Sequence, residues 1–410
     1  MKPELIVDLF AGGGGASLGI EMALGRPQDG EGRRARTYEW CHGDAAEGAD
    51  MSDKTDIGWT DATWTVVQGC DPVSPGCENC YVPGVLLRLA GNPNPKISGP
   101  VQGLAERYTN AAGKSRLRFT GTIALRQDRL DWPLQWAKPR KIFIPSHGDL
   151  FHEDVPDEFI LRVLDVVRRC SYDGGSNCGK IGRGHGQHEF QLLTKRAGRM
   201  AAFMPRLRFN DRADEEKGET GLYLADDGKW PVVMKNLWIG VSAEDQERAD
   251  ERIQLLLQTP AAIRFVSCEP LLGPIDLIGT MARWQDNPKR DRSWVRLGTQ
   301  LINWVIVGGE SGKHARPMHP DWARSLRDQC KAAGVPFFFK QWGAWTPGEN
   351  VEGPANRTEH VAYWFVDGWN FGKLTPRESD ETHRDDAPDV YRRATASAFL
   401  DGVEHNGFPA

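Results

Sequence analysis

The sequence predicts an α/β protein: a partial or complete parallel β/α barrel with surface insertions. Three observations predict it. Short apolar strands recur along the chain, helical stretches with three-to-four apolar spacing lie between several of them, and the strands run into polar tips. Strands alternating with helices imply a parallel sheet covered by helices. Barrels of this kind assemble their sites at the C-terminal ends of the strands, so the tips are where function is expected.

The candidate strands, in order, are Trp64–Val67, Lys141–Pro145, Phe190–Leu193, Leu237–Val241, Arg264–Val266, Trp304–Val307 and Pro336–Phe339. Among the helices, Asp157–Arg169 places Ile160, Val163, Leu164 and Val167 on one face. Gln246–Gln258 and Pro320–Ala333 behave similarly, and Gly334 is a good stop for the latter. Gly174–Gly186, Arg212–Trp230 and Ala282–Gly298 read as insertions, and Pro347–Pro388 as a polar, aperiodic segment. Residues 51–410 form the expected barrel domain. Residues 1–50 stand apart: Ile6–Phe10 reads as a strand, Ala11–Gly15 as a glycine turn and Ser17–Leu24 as a helix, half of a nucleotide-binding βαβ unit.

The 410 residues carry a net charge of −5, so no chain-wide basic field draws in nucleic acid, although local patches can. No apolar run approaches the ~18 residues that span a membrane. Asp8 and the four glycines interrupt the apolar start, which argues against a signal peptide. The expected location is cytoplasmic, where eight cysteines speak for metal, catalysis or core packing rather than disulfides.

The strongest chemical signal is the spacing C-x6-C-x2-C at Cys70, Cys77 and Cys80, directly after the first expected strand. Soft thiolates suit iron–sulfur clusters and zinc, and the prolines and glycine of the loop bend it so that three sulfurs can converge. Three ligands leave a cluster with one open iron, or a zinc that needs a partner such as His147, His152 or Cys268. A structural zinc knuckle and unliganded thiols are the alternative readings. The remaining tips supply Gly148-Asp149, Lys195-Arg196, Ser242, Glu244, Glu269, Glu310 and Lys340. Each also reads as a strand-end cap or a surface ion pair. Cys170, Cys178, His185 and His188 could form a second metal site, or lie in an ordinary flexible insertion.

The phrases IGWTDATW, GC-x6-C-x2-CY, FIPSHGDLFHEDVPDEFI, FQLLTKR, WIGVSAEDQERADERI, RFVSCEPLLGP, WVIVGGESG-x3-RPM, GVPFFFKQWG and LDGVEHNGFP span Met51 to Pro409. Together they resemble the phage three-Cys-motif family, labelled phage protein gp thirty-seven/gp sixty-eight, whose members resemble radical S-adenosylmethionine (SAM) enzymes. The first cysteine gap is three residues longer than the C-x3-C-x2-C usual in radical-SAM proteins. The resemblance implies a radical-SAM-like barrel in a phage or prophage setting. It implies a [4Fe-4S] cluster on Cys70, Cys77 and Cys80, with SAM as cofactor. Gly148 and Asp149 would meet the SAM amino group. Lys195 or Arg196 would meet its carboxylate or a substrate phosphate, and Ser242 and Glu244 the ribose. Glu269, Glu310 and Lys340 would face the substrate, with DNA, a nucleotide or a partner protein as candidate partners.

The front motif DLFAGGGG, with His42-Gly43-Asp44 after it, resembles the first motif of DNA cytosine-5 methyltransferases. That enzyme needs a Pro-Cys nucleophile, and no cysteine here follows a proline. Residues 1–50 therefore read as a truncated SAM-methyltransferase-like fragment or an extension. Two alternatives to the radical-SAM reading stay open: a zinc-stabilised binding protein without catalysis, and a methyltransferase fragment.

Overall fold

The computed structural model describes residues 55, 57–171, 187–210, 213, 219–286, 302–351, 358–366, 368–375, 387–393 and 398–409. The front segment, Cys178, His185 and most of Ala282–Gly298 lie outside them.

Seven parallel strands form the central sheet, in strictly sequential order: β1 (Ala62–Thr63), β2 (Lys141–Ile144), β3 (Glu189–Thr194), β4 (Leu237–Ser242), β5 (Ile263–Cys268), β6 (Trp304–Gly308) and β7 (Phe337–Gln341). Among the described residues β1 and β7 do not pair, so the sheet is open. It is also curled. In a flat sheet, strands five places apart lie about 24 Å apart. The rings of Trp59, just before β1, and Trp304, on β6, are 6.0 Å apart. The architecture is a half-barrel, the partial form of the expected barrel.

Alternation along each strand sorts side chains onto two faces. Ile142, Ile144, Leu192, Val241, Val266, Val305 and Phe339 point outward into a large core beneath the helices. Phe143, Trp238, Phe265, Trp304, Ile306 and Phe338 point inward and form a second core with Ile57 and Trp59. Helix α1 (Val82–Ala90) follows the cysteine loop, α2 (Asp157–Arg169) follows β2, and α3 (Ala197–Phe203) follows β3. Helices α4 (Gln246–Leu257), α5 (Leu277–Asp286) and α6 (Pro320–Ala333) follow β4, β5 and β6. Local chemistry sets their ends. Asp157 and Glu158 in the first turn of α2 and Arg168 and Arg169 in its last complement the helix dipole. Asp245 caps α4 by accepting from the Arg248 amide at 2.9 Å. Pro320 opens α6, and Gly334 closes it in the left-handed region at φ 67°. Among the described residues no helix is long and apolar enough to cross a membrane.

Three readings need revision. The expected first strand, Trp64–Val67, is not one: pairing with β2 occurs earlier, at Ala62 and Thr63, and Val67–Gln68 instead pairs antiparallel with Ala124–Leu125. Trp64, Val66 and Val67 are all buried, so nothing in their apolarity fixed a register. Pro347–Pro388 is not structureless. It holds the hairpin Glu359–Phe365/Gly368–Leu374 within a four-stranded antiparallel sheet that also takes Thr346–Pro347 and Val390–Tyr391. The insertion Arg212–Trp230 likewise contributes Leu222–Leu224 to a hairpin with Leu207–Phe209.

The last stretch of chain returns to the open edge. The Phe339 amide donates to His405 O at 2.9 Å and the Gly407 amide to Phe337 O at 3.0 Å. Phe408 then sits 5.1 Å from Trp304 and under the Lys141 ammonium at 4.3 Å, so it closes the inner core from below.

Candidate functional site

At the C-terminal ends of the strands the half-barrel opens into a cavity of about 450 Å³, well within the range of small-molecule sites. Cys70, Cys77 and Cys80 line it. The loop that carries them is stitched to the tip of β2 backbone to backbone. The Gly69 amide donates to His147 O at 3.1 Å, and Gly69 bridges Gly148. Both positions require glycine. Gly69 lies at φ +93° with space for a Cβ only 2.2 Å from Thr122 O, and a Cβ on Gly148 would stand 2.7 Å from Val67 O.

The strand tips hold the loop from three further sides. From β4, Glu244 accepts the Gly76 amide at 3.1 Å. From β6, Glu310 accepts the Asn79 side-chain amide at 3.1 Å. Arg316 is fork-bonded to Glu310 at 2.7 and 3.0 Å and donates onward to Pro75 O at 2.9 Å. From β3, Arg196 donates to the Cys70 sulfur at 3.3 Å and to Asp71 O at 3.2 Å.

Several expected ligand-binding groups therefore have partners within the chain. Asp149 accepts from the Thr194 hydroxyl at 2.7 Å, the Lys195 amide at 3.0 Å and the Phe151 amide at 3.0 Å, with Arg196 at 3.5 Å. Glu244 is fully buried between Arg252 at 3.1 Å and Lys195 at 3.9 Å. Burial alone would raise its carboxyl. The charges of Lys195 and Arg252, with hydrogen bonds from Ser74 and Gly76, instead hold it below the usual carboxylate range. Glu244 lies beneath the loop, whereas Gly148, Asp149, Lys195, Arg196, Ser242, Glu269, Glu310 and Lys340 all reach the cavity wall. Glu269 and Lys340 pair there at 3.0 Å, and Ser267 donates to the other Glu269 oxygen at 3.1 Å.

The donor set suits a thiophilic group. Burial pushes the Cys80 thiol up to about 12. It pushes Cys70 up to about 11, against the pull of Arg196. Without a cation these thiols stay protonated; a bound metal supplies the charge that makes them thiolates. The donor chemistry and the shared cavity fit a centre held by three cysteines. As the side chains stand, no three His, Cys, Asp or Glu among the described residues form a closed group about a single ion position. Of the candidate fourth ligands, His147 lines the same cavity as the three cysteines, whereas the other two are turned elsewhere. His152 Nε2 faces Asp71 at 3.4 Å, and its Nδ1 accepts from the Asp154 amide at 3.2 Å. Cys268 points outward into the helix-side core, the wrong face of β5. Of the second candidate site, His188 uses its ring nitrogens on the Arg140 amide and Pro133 O, at 3.2 and 3.0 Å.

A family model described as a protein of unknown function (DUF5131) matches residues 54–409. The chain belongs to that family. No curated protein and no solved structure matches it. For this DUF5131 member the groups missed from sequence are Asn79, Asp71 and Arg316. Arg316 had a signal, the arginine of the RPM phrase, but its partners Glu78 and Pro75 lie more than two hundred positions away in the chain.

Proposed function

We propose that Cys70, Cys77 and Cys80 hold an iron–sulfur cluster and that the protein reductively cleaves SAM for radical chemistry on a bound substrate, in the manner of radical-SAM enzymes. The observation that carries this reading is that three cysteines of one loop line a single cavity at the C-terminal ends of a parallel half-barrel. The chemistry such a cluster supplies when bound is one-electron reduction of the sulfonium. The chain's own residues do the rest. Arg196 and Arg316 brace the cysteine loop, Glu244 pins it from below, and the inner aromatic core keeps water from entering underneath. Glu269 and Lys340 are the charged pair facing the cavity that takes no part in holding the loop. They orient the substrate, with a proton available at Lys340 Nζ.

A second reading, a zinc-braced binding protein, is favoured by a different observation: Asp149 and Glu310 are already saturated by the chain itself. Metal analysis separates the two. Anaerobic reconstitution is expected to give about four iron and four sulfide per chain, and reductant with SAM to give 5′-deoxyadenosine. Replacing the three cysteines by alanine should remove both. Zinc bound in place of iron, or iron retained by the triple variant, would sink the cluster assignment.

A further inference from the structure

Positive charge near the cavity divides into two kinds. Lys195, Arg196 and Arg199, the basic residues at and just after the tip of β3, are committed to Glu244, Glu153 and Asp157. A second group has no acidic partner among the described residues, and its Arg392 lies over the Trp345 ring at 5.4 Å. The hairpin Ala105–Thr109/Ser115–Phe119 carries Lys114 in its turn and Arg116 on its second strand. The loop after β6 carries Lys313 and His314, and Arg392 donates to the carbonyls of Gly312 and Lys313. Among the described residues Lys114, Arg116 and Lys313 have no acidic partner. All lie near enough to act on His314, where desolvation and then the charges of Arg116, Lys313, Arg392 and Lys114 push the imidazole below its ordinary range.

This patch adjoins the cavity. Phe119, at the end of the hairpin, and Gly312 both line it, and His314 O accepts from Asn79 of the cysteine loop at 3.0 Å. Tyr81, next to Cys80 in the chain, also lines the cavity; its hydroxyl donates to Ser146 O at 3.4 Å and the residue is 49% exposed. Like charges gathered from three segments of a chain of net charge −5 are matched by a polyanion. A cavity of about 450 Å³ has room for a base-sized group, and a base reaches such a pocket only from a single strand or by extrusion. An exposed ring at the mouth offers a stacking face.

We propose that a single-stranded nucleic acid lies across Lys114, Arg116, Lys313 and Arg392 and places one base at the cavity, against Tyr81, as the substrate of this site. The word substrate rests on the function proposed above; binding does not require a cluster.

The test uses the full chain and fluorescence anisotropy with a labelled single-stranded DNA of about 16 nucleotides across a salt series. Each phosphate contact adds about 0.7 to the log–log slope. The Lys114→Ala/Arg116→Ala/Lys313→Ala variant should therefore lose about 2 from that slope at an unchanged thermal midpoint. If the triple variant is unstable, the single exposed change Lys114→Glu replaces it, with a loss near 1 or more expected. An abasic strand of equal length should bind about tenfold more weakly. An unchanged slope in these variants overturns the proposal, and so does an abasic strand or heparin that binds as tightly as the DNA. Patch-dependent binding by a chain that takes up no iron upholds this inference and removes the proposed chemistry. SAM cleavage by a chain whose strand binding ignores the patch does the reverse.

Discussion

The two ends of the half-barrel are built from the same strands and could hardly differ more. Inward positions on β5 run Phe265, Ser267, then Glu269 just past its end; on β7 they run Phe338, Lys340. On β4 they run Trp238, Gly240, Ser242 and on to Glu244, and on β6 Trp304, Ile306, Gly308 and on to Glu310. Within two to six residues, about 7–20 Å of strand, each wall passes from aromatic to polar or ionisable. The lower end is an aromatic plug in which Trp304 packs on Trp59, Trp238, Phe265, Phe338 and Phe408 at 5.1–6.1 Å. The upper end is a set of charges spent largely on holding one loop. Stability is thus concentrated below and chemistry above, with the strand as the lever between them.

Three substitutions press on that division. Trp304→Ala should have the largest effect, about 3–5 kcal/mol of stability, read by chemical denaturation. It removes the ring at the centre of the plug and the Nε1 donor to Gly407 O at 2.6 Å. A loss below 1 kcal/mol would mean that the plug does not carry the fold. Glu244→Gln comes next, at about 1.5–3 kcal/mol near neutral pH, because Arg252 and Lys195 lose their counter-charge. A carboxyl held low contributes stability above its unfolded pKa and loses it as pH falls through the folded value. The wild-type protein should therefore lose stability on the acid side of about pH 4.3, and the variant should show a flatter acid limb there. Parallel acid limbs would refute the counter-charge role. Arg316→Ala should cost least in global stability, about 1 kcal/mol. Its effect should be local, with faster amide exchange across residues 74–80 while the plug stays protected. Uniform deprotection would erase the distinction between the two ends.

Much of this was legible in the residues. Six of the seven strands fall within a few positions of their apolar runs, because each is buried on both faces and bounded by turns. Asp157–Arg169 and Pro320–Ala333 are helices over those very ranges, because dipole charges mark the ends of one and Pro320 and Gly334 those of the other. The hairpin at Glu359–Phe365 escaped notice because its burial does not alternate; Val361 and Ala362 are both buried side by side. The cysteine loop stood out by spacing alone. Its bracing did not, since a hydrogen bond from Gly76 to Glu244 or from Asn79 to Glu310 joins positions that no local pattern relates. Lys195, Arg196 and Asp149 were visible as polar tips, but their commitment to one another depends on how closely β2 and β3 pack.

The return of Val403–Phe408 to the edge of β7 has a consequence for how the chain is made. A ribosome delivers roughly 5–20 residues each second, and β7 emerges before the segment that covers it. Until His405 and Gly407 reach Phe339 and Phe337, the last strand keeps a bare edge and Trp304 lacks one wall. The nascent domain passes through a stage with exposed aromatic surface that ends only when residues 403–408 arrive. Any chain inserted directly behind Phe408 would press on that last closure.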